Sequence, residues 1–373
     1  MPYDCTNYEL RITKDLPVAG SQLLHNKNVN TKRYNMKAIQ IITPENIQIV
    51  DRPVPVAGKG EVLLKINYIG FCGSYLSTFL GKNPMVEYPR VPGHEISAVI
   101  QLIGEEVPDN FKIGQGVTVV PYTNCGQCSS CRKGRFNACR YNQTLGVQRD
   151  GAMQEFITVP WQKLISDDQL SAKELAMVEP LTVGFHAIDR GRVTDIDTVM
   201  IFGCGMIGSG AIIRAALRGA KVIAVDIDDQ KLELARKIGA NYVINSKTNN
   251  LHEALLKITD GHGPDVIIEA AGNPITYQSA LEEAAFAARV VCIGYAKNDV
   301  SFATKLWVQK EIDILGSRNA TPSDFEAVVN YLKKGTFPID EMITRVIEPE
   351  DAADAVVSWA ANPGQVMKIL VRF

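Results

Sequence analysis

The 373-residue sequence lacks three features that would point to particular classes of protein. Its formal net charge is only −2, so nothing in its charge favours binding to nucleic acid. No apolar run reaches the ~20 residues that a membrane helix needs. The cysteines are not spread as a disulfide framework, because four of the eight lie in one short segment. We therefore expect two or three domains in the cytoplasm, with no nucleic acid or membrane as partner.

Residues 1–35 also lack the pattern of a targeting segment. They have no sustained apolar core of the kind found in signal peptides, and Asp4, Glu9 and Asp15 are atypical of a transit peptide. The stretch is polar, mixed in charge and without strong periodicity, so we predict a disordered extension. A regular strand pattern begins at Met36.

The sequence does contain a compact set of metal-ligand residues. In CGQCSSCRKGRFNAC, two residues separate Cys125 from Cys128 and Cys128 from Cys131, and Cys139 completes the set. Four thiolates on one loop can enclose a tetrahedral ion with no open position, which is typical of structural zinc. A disulfide pair and an iron–sulfur cluster are the alternatives to this zinc site.

A nucleotide-binding pattern follows the short apolar strand at residues 199–202. The pattern is G-x-G-x-x-G at the entrance to a helix, with an acid about twenty residues later at the end of the next strand. The glycines allow a pyrophosphate to approach the backbone, the helix N-terminus attracts the phosphates, and the acid accepts hydrogen bonds from a ribose. An acid also repels a 2′-phosphate, so we predict NAD rather than NADP; the alternative is a glycine turn with no ligand. The residues predicted to bind NAD are Gly203, Gly205, Met206, Ile207, Gly208 and Asp226.

A second group of metal-ligand residues is scattered along the chain. Cys72 stands in FCGSYLSTF, and His94 and Glu95 stand in PGHE. A thiolate, an imidazole and a carboxylate around one open position make the arrangement of a catalytic zinc. Glu179, in VEP, is a further acid that could bind the ion or lie close to it. Spacing alone leaves open whether these residues meet, because lone cysteines and histidines are more often structural.

Two kinds of pattern divide the rest of the chain. From Met36 to about residue 160, short strands alternate with Gly and Pro turns, which predicts a β-rich domain. From residue 198 onward, strands and helices alternate, which predicts a doubly wound parallel sheet with its ligand at the carboxyl ends of the strands. The predicted fold class is therefore α/β, and we expect the last ~50 residues to return to the first domain.

Together these motifs resemble the zinc-dependent medium-chain dehydrogenase/reductase superfamily, over residues 36–373. The resemblance implies a GroES-like catalytic domain formed by residues 36–180 and 320–373, and a Rossmann domain formed by residues 181–319. It implies two zinc ions per chain, NAD in the cleft between the domains, and a homodimer or homotetramer. Cys72, His94 and Glu95 would hold the catalytic zinc, with Glu179 as an exchangeable ligand or near neighbour. The catalytic residues that it implies are Cys72, Ser74, His94, Glu95, Glu179 and Arg318.

The use of Glu95 resembles the polyol and threonine dehydrogenase branch of this superfamily. The implied reaction is hydride transfer from a secondary alcohol of a polyol or sugar acid to NAD. Ser77 stands where a relay histidine is usual, and Tyr75 replaces the usual acid. An amino alcohol such as threonine is an alternative substrate. A nucleotide-binding regulator that has lost turnover and a zinc-stabilised scaffold are alternatives from other classes.

Overall fold

Residues 34–373, the part of the chain that the computed structural model describes, contain a two-stranded hairpin and two large sheets of different construction. One is a mixed, largely antiparallel sheet, and the other is entirely parallel. The predicted extension, residues 1–35, lies outside the described residues except for its last two. Asn35 already belongs to the first strand, one residue before the predicted start of that strand.

The strands and helices are numbered here in chain order. The strands are β1 (Asn35–Thr43), β2 (Asn46–Pro53), β3 (Glu61–Gly70), β4 (Glu95–Ile103), β5 (Gly116–Val119), β6 (Phe156–Pro160), β7 (Leu164–Ser166), β8 (Thr198–Phe202), β9 (Lys221–Asp226), β10 (Tyr242–Asn245), β11 (Val266–Glu269), β12 (Arg289–Cys292), β13 (Asp313–Gly316), β14 (Arg345–Ile347) and β15 (Ile369–Arg372). The α-helices are α1 (Gly73–Phe79), α2 (Ser129–Arg132), α3 (Ala172–Arg190), α4 (Met206–Leu217), α5 (Asp229–Lys237), α6 (Leu251–Ile258), α7 (Pro274–Glu282), α8 (Thr304–Gln309), α9 (Pro322–Leu332), α10 (Ile339–Met342) and α11 (Ala352–Ala361). None of these helices has the length and apolar character that crossing a membrane requires.

The mixed sheet joins the two ends of the described chain. Its strand order is β14-β15-β3-β4-β5-β7, with β6 also paired to β3, while β1 and β2 form a separate hairpin. β15 and β4 pair antiparallel with opposite edges of β3, so Leu370, Gly70 and Glu95 lie side by side. The register therefore brings three segments that are distant in the sequence to one end of the sheet.

The parallel sheet has the strand order β10-β9-β8-β11-β12-β13. Along β8, Val199 and Ile201 pack into one hydrophobic cluster, and Met200 and Phe202 pack into another. Both faces are thus covered, which explains why the central strands are continuous apolar runs. The chain reverses its direction of winding between β8 and β11, where doubly wound sheets bind their ligands. The predicted α/β fold, with a β-rich part and a Rossmann sheet, is confirmed.

Helix α3 packs the two sheets against each other. The helix begins with a capping box, in which Ser171 and Glu174 satisfy each other's backbone N–H groups. Gly184 lies directly against α4, and a Cβ there would collide with the carbonyl oxygen of Ile207. One hydrophobic cluster then runs from Tyr122, in the β-rich part, through α3 to the parallel sheet. The position of α3 therefore sets the distance between the two domains.

Candidate active site and metal centres

Cys72, His94 and Glu95 come together at one end of the mixed sheet. Cys72 directly precedes α1 and follows β3, while Glu95 begins β4. Because Gly70 is paired with Glu95 across these antiparallel strands, the end of one strand lies beside the start of the other. One sulfur, one imidazole nitrogen and one carboxylate oxygen lie within 4.8 Å of one another. The fold thus brings together the three residues that were predicted to hold the catalytic zinc.

This group has the donors that a catalytic zinc requires. His94 and Glu95 are buried, and Nδ1 of His94 has no hydrogen-bond partner among the described residues. Leaving a buried polar atom unsatisfied costs about 1–3 kcal/mol, a cost that a bound cation can remove. The three side chains supply the three protein ligands of a catalytic site and leave a fourth position for substrate or water. The residues present therefore fit a zinc ion.

The electrostatic surroundings of His94 favour positive charge. Burial alone would lower the pKa of His94, but the Cys72 thiolate, followed by the Glu179 and Glu95 carboxylates, outweighs burial and raises it to about 10. A metal cation competes with the proton for the imidazole nitrogen. The thiolate and carboxylates that favour the protonated ring therefore also favour a zinc ion, which binds the neutral ring. The site is thus built to hold a cation.

Lys368, which sequence reasoning missed, holds Glu95 in place. Its ammonium group donates to both carboxylate oxygens of Glu95, at 2.7 and 2.6 Å, and to the carbonyl oxygen of Phe71 at 3.0 Å. Glu95 and Lys368 are only 2% and 3% exposed, so each buried charge depends on the other. Gly70 makes room for the pair, because a Cβ there would collide with Oε2 of Glu95. The only sequence signal was a lysine before an apolar strand, which equally describes a surface lysine.

Glu179 lies beside the three ligand residues rather than among them. It is buried on α3, and the hydroxyl of Tyr122, a second residue that sequence reasoning missed, donates to its Oε1. Burial raises the pKa of Glu179 and repulsion from Glu95 adds to this, although His94 and Tyr122 act in the opposite direction. Of the two predicted roles, exchangeable ligand or near neighbour, the geometry matches the near neighbour.

Helix α1 carries Ser74 and the two positions that depart from the usual pattern. Ser74 lies in the first turn, and its hydroxyl makes no hydrogen bond to another described residue. Tyr75 is 3% exposed and packs edge-on against Phe71, with ring centroids 4.6 Å apart, so it belongs to the core. Ser77 is half-buried and its hydroxyl likewise has no partner in the described chain. Ser74 is therefore the hydroxyl next to Cys72 that is free to contact a ligand.

The four cysteines of the loop form a second, separate group. Their sulfur atoms all lie within 4.8 Å of one another, and Cys128 Sγ is 3.5 Å from Cys131 Sγ and 3.8 Å from Cys139 Sγ. Four sulfurs about 2.3 Å from a central zinc would be about 3.8 Å apart, so the spacing suits one tetrahedral ion. All four thiols are free, so the alternative of a disulfide pair is wrong.

Ionisation of these thiols also points to a cation. The Ser130 hydroxyl and the backbone N–H groups of Cys131 and Arg140 stabilise the Cys128 thiolate and lower its pKa to about 5. Burial and the neighbouring thiols Cys128 and Cys139 raise the pKa of Cys131 to about 11. Because four adjacent sulfurs cannot all be ionised without a counter-charge, the loop is complete only with a metal ion.

The glycine turn has the geometry that the nucleotide pattern predicts. Gly203 has a φ of +88°, and a Cβ on Gly208 would collide with the Gly203 carbonyl, so both positions need glycine for the fold itself. Gly205 is different, because a Cβ there would meet nothing within 4 Å. Open space above Gly205, at the start of α4, suits the approach of a pyrophosphate.

Asp226 closes this turn at the end of β9. One of its carboxylate oxygens accepts from Cys204 N at 2.7 Å, and the other accepts from Ile227 N and Asp228 N. These bonds leave lone pairs for a ribose hydroxyl while fixing the carboxylate at the carboxyl edge of the sheet. Met206 and Ile207 form the first turn of α4 beside it.

Arg318 lies at the same edge of the sheet, two residues after the end of β13. Its side chain is half-buried and makes no hydrogen bond or ion pair to another described residue. Its backbone carbonyl, in contrast, accepts a hydrogen bond from Asn137 at 2.8 Å. The segment is thus anchored through its backbone while the guanidinium group remains available to a ligand.

Family comparisons agree with this arrangement. Residues 58–168 match the family described as alcohol dehydrogenase GroES-like domain, and residues 207–334 match the family described as zinc-binding dehydrogenase. The first match spans strands β3 to β7 of the mixed sheet with the cysteine loop, and the second spans strands β9 to β13 of the parallel sheet.

Individual relatives extend over almost the whole chain. A zinc-type alcohol dehydrogenase-like protein of Haemophilus influenzae is 33% identical, with 90% of this chain and 98% of the relative covered. Sorbitol dehydrogenase of Bacillus subtilis is 32% identical, with 92% and 98% covered. A crystal structure of an alcohol dehydrogenase from Escherichia coli CFT073, complexed with NADH, has a TM-score of 0.83 at 32% identity and covers 91% of this chain and 99% of its own. With the two metal groups and the glycine turn, these matches show that the chain belongs to the zinc-dependent medium-chain dehydrogenase/reductase superfamily, as an alcohol or polyol dehydrogenase with zinc and NAD(H) as cofactors.

Proposed function

We propose that this enzyme oxidises a secondary alcohol of a polyol or sugar acid and transfers the hydride to NAD. The observation that carries the proposal is the meeting of Cys72, His94 and Glu95 at the end of the mixed sheet that faces helix α3. Glu179 and Gly184 lie on that helix about 7.5 Å apart along its axis, at ~1.5 Å per residue. One helix therefore touches both the metal group and the dinucleotide helix α4.

The roles of the side chains follow from their positions. Cys72, His94 and Glu95 would hold the catalytic zinc, and Lys368 keeps the Glu95 carboxylate oriented. Zinc, when bound, acts as a Lewis acid that lowers the pKa of the substrate hydroxyl. Alignment of substrate and nicotinamide in one cleft supplies much of the remaining rate enhancement.

We assign the first proton transfer to Ser74. Its hydroxyl is two residues from Cys72 and has no partner in the described chain, so it can accept the proton of the substrate alcohol and pass it towards the nicotinamide ribose. Ser77 replaces the usual relay histidine, and serine does not titrate near neutral pH. Beyond Ser74 and the ribose the proton therefore passes to water, and we propose that the buried Glu179 assists this release.

Asp226 selects NAD in this proposal. Its carboxylate is fixed at the turn by three backbone N–H groups. A 2′-phosphate placed there would meet negative charge, and the residues that follow, Ile227, Asp228 and Asp229, offer no cation to it. Arg318, at the same edge of the sheet, would contact a hydroxyl or carboxylate of the substrate.

A substrate panel tests the function. The zinc-loaded enzyme is incubated with NAD and with polyols, sugar acids or threonine, and NADH is followed by its absorbance, with NADP as the matched control. Turnover of a polyol or sugar acid with NAD is the expected result. Turnover of threonine alone would favour the amino-alcohol alternative, and tight NADH binding without any turnover would favour the regulator.

We further propose that two copies pair through the parallel sheet. β13 is one of its two edge strands, and in the segments that flank it Tyr295, Phe302, Trp307 and Val308 expose 40–80% of their surface. Such an apolar edge is covered in a stable protein, and a homodimer covers it symmetrically. Seven free cysteines in residues 34–373 support a reducing compartment such as the cytoplasm.

A further inference from the structure

The cysteine loop contacts the segment that follows β13 through a buried residue, Asn137. It lies between Cys131 and Cys139 in a short 3-10 turn, and it is 4% exposed. Its side-chain Nδ2 donates to the carbonyl oxygen of Arg318 at 2.8 Å, and the Asn137 carbonyl accepts from Nδ2 of Asn319 at 3.0 Å. The loop and the segment after β13 therefore hold each other by two hydrogen bonds that run in opposite directions.

A buried histidine fixes the orientation of the Asn137 amide. Nδ2 of Asn137 also lies 2.9 Å from Nε2 of His186, and Nδ1 of His186 lies 3.0 Å from the Asp324 carboxylate. Because Nδ2 can only donate, Nε2 accepts and Nδ1 carries the proton that goes to Asp324. If the Asn137 amide were flipped, its oxygen would face the Arg318 carbonyl oxygen, so the network admits one arrangement.

The same network holds the far side of the segment. Asp324 accepts from the backbone N–H of Thr321 at 2.7 Å and from its hydroxyl at 2.6 Å. Asn319 has a φ of +53°, a left-handed conformation that asparagine tolerates better than most residues. Residues 318–321 are thus held at the Arg318 carbonyl, the Asn319 side chain and Thr321, while the Arg318 guanidinium has no partner in the described chain.

We propose that Asn137 is a positioning residue through which the four-cysteine loop sets the place of Arg318, so that this loop serves substrate binding as well as stability. The proposal rests on the proposed function in one respect, the contact of Arg318 with substrate. A loop whose four metal ligands lie in one sequence segment forms a rigid support. Asn137 connects this loop to the edge of the parallel sheet by its hydrogen bond to the Arg318 carbonyl. Because the backbone at Arg318 is already ordered in the free enzyme, the arginine loses less conformational entropy when substrate binds, and binding is tighter.

The test compares Asn137→Ala with Asn142→Ala in the zinc-loaded enzyme. Asn142 is a matched control, because it is also a buried amide, three residues after Cys139, and it donates to Thr144 Oγ1 rather than to Arg318. Asn137→Ala removes the Nδ2 hydrogen bonds to the Arg318 carbonyl and to His186 but keeps the backbone carbonyl that accepts from Asn319. At ~1 kcal/mol for each lost bond, amide hydrogen exchange in residues 317–320 should speed up by about thirtyfold. We expect KM for the substrate to rise about tenfold with kcat changed less than about twofold, and both zinc ions to remain.

A second variant keeps the test valid if Asn137→Ala folds poorly. Asn319→Gly removes the reciprocal bond to Asn137 and retains the left-handed backbone, so it should speed exchange in the same residues by about fivefold. Exchange in residues 317–320 that is no faster in Asn137→Ala and Asn319→Gly than in Asn142→Ala would overturn the proposal. If exchange speeds up as expected but Arg318→Ala leaves KM unchanged, the anchoring stands and the substrate role of Arg318 is wrong.

Discussion

The two metal groups of this enzyme are built in opposite ways. The four cysteines lie within one short stretch of chain, enclose their site completely, and are held by backbone N–H groups of the same loop. Cys72, His94 and Glu95 come from two strand ends and depend on Lys368, from the far end of the chain. The first arrangement is closed and local, as suits a structural ion. The second leaves one position open and is assembled by the sheet, as suits catalysis.

This contrast predicts that turnover is most sensitive to the assembled site. In His94→Ala the zinc at that site is lost, and several kcal/mol of transition-state stabilisation go with it, so kcat/KM should fall on the order of 10³-fold. Metal analysis should then find one zinc per chain in place of two. His252→Ala is the control, because that histidine is 63% exposed and, within residues 34–373, pairs only with Glu283. Activity near the wild-type level in His94→Ala would contradict a catalytic zinc at this site.

A smaller loss is expected when the support of the assembled site is removed. Lys368→Met keeps an unbranched side chain that is one atom shorter, but it leaves the Glu95 carboxylate buried without its cation. Residues that hydrogen-bond to a metal ligand typically change metal affinity or activity by 10–100-fold when they are replaced. The chelator concentration that removes zinc from this site should therefore be at least about tenfold lower in Lys368→Met than in the wild type. Lys173→Met breaks an exposed ion pair with Asp340 and should change neither zinc retention nor turnover. Equal zinc retention in Lys368→Met and Lys173→Met would show that Lys368 does not support the site.

The smallest effect on kcat is expected from the closed site. Cys128→Ser should lose the structural zinc and lower the Tm by about 10 °C or more, because loss of a structural metal is among the largest single-site destabilisations. Below the unfolding range kcat should fall by less than about threefold, while KM rises as the support of Asn137 weakens. Cys292→Ser is the control, since Cys292 belongs to neither metal group. A fall in kcat as large as that of His94→Ala would show that the two sites are not functionally distinct.

The local features of this enzyme were predictable, and the contacts between distant segments were not. The cysteine loop, the glycine turn and the alternation of strands and helices are each confined to a short window, so spacing and periodicity were enough to recognise them. Lys368, Tyr122 and Asn137 carry no such signal. Each is an ordinary residue type whose partner lies elsewhere in the chain, and each acquires its role only when buried against that partner. Tyr75 shows the reverse case, since its position beside the zinc motif suggested altered chemistry and the fold places it in the core.

The sequence by itself determined that the chain has a β-rich part and a parallel α/β part, and it also determined the closed cysteine site and the dinucleotide turn. The reason is that short-range spacing dictates which backbone and ligand geometries a segment can adopt. Only the tertiary structure decided that Cys72, His94 and Glu95 lie together and that a buried lysine binds the Glu95 carboxylate. It also decided that the cysteine loop is hydrogen-bonded to the segment that carries Arg318. The physical reason is strand register: pairing β15 and β4 with β3 brings residues from both ends of the chain within hydrogen-bond distance, and no local pattern encodes that pairing.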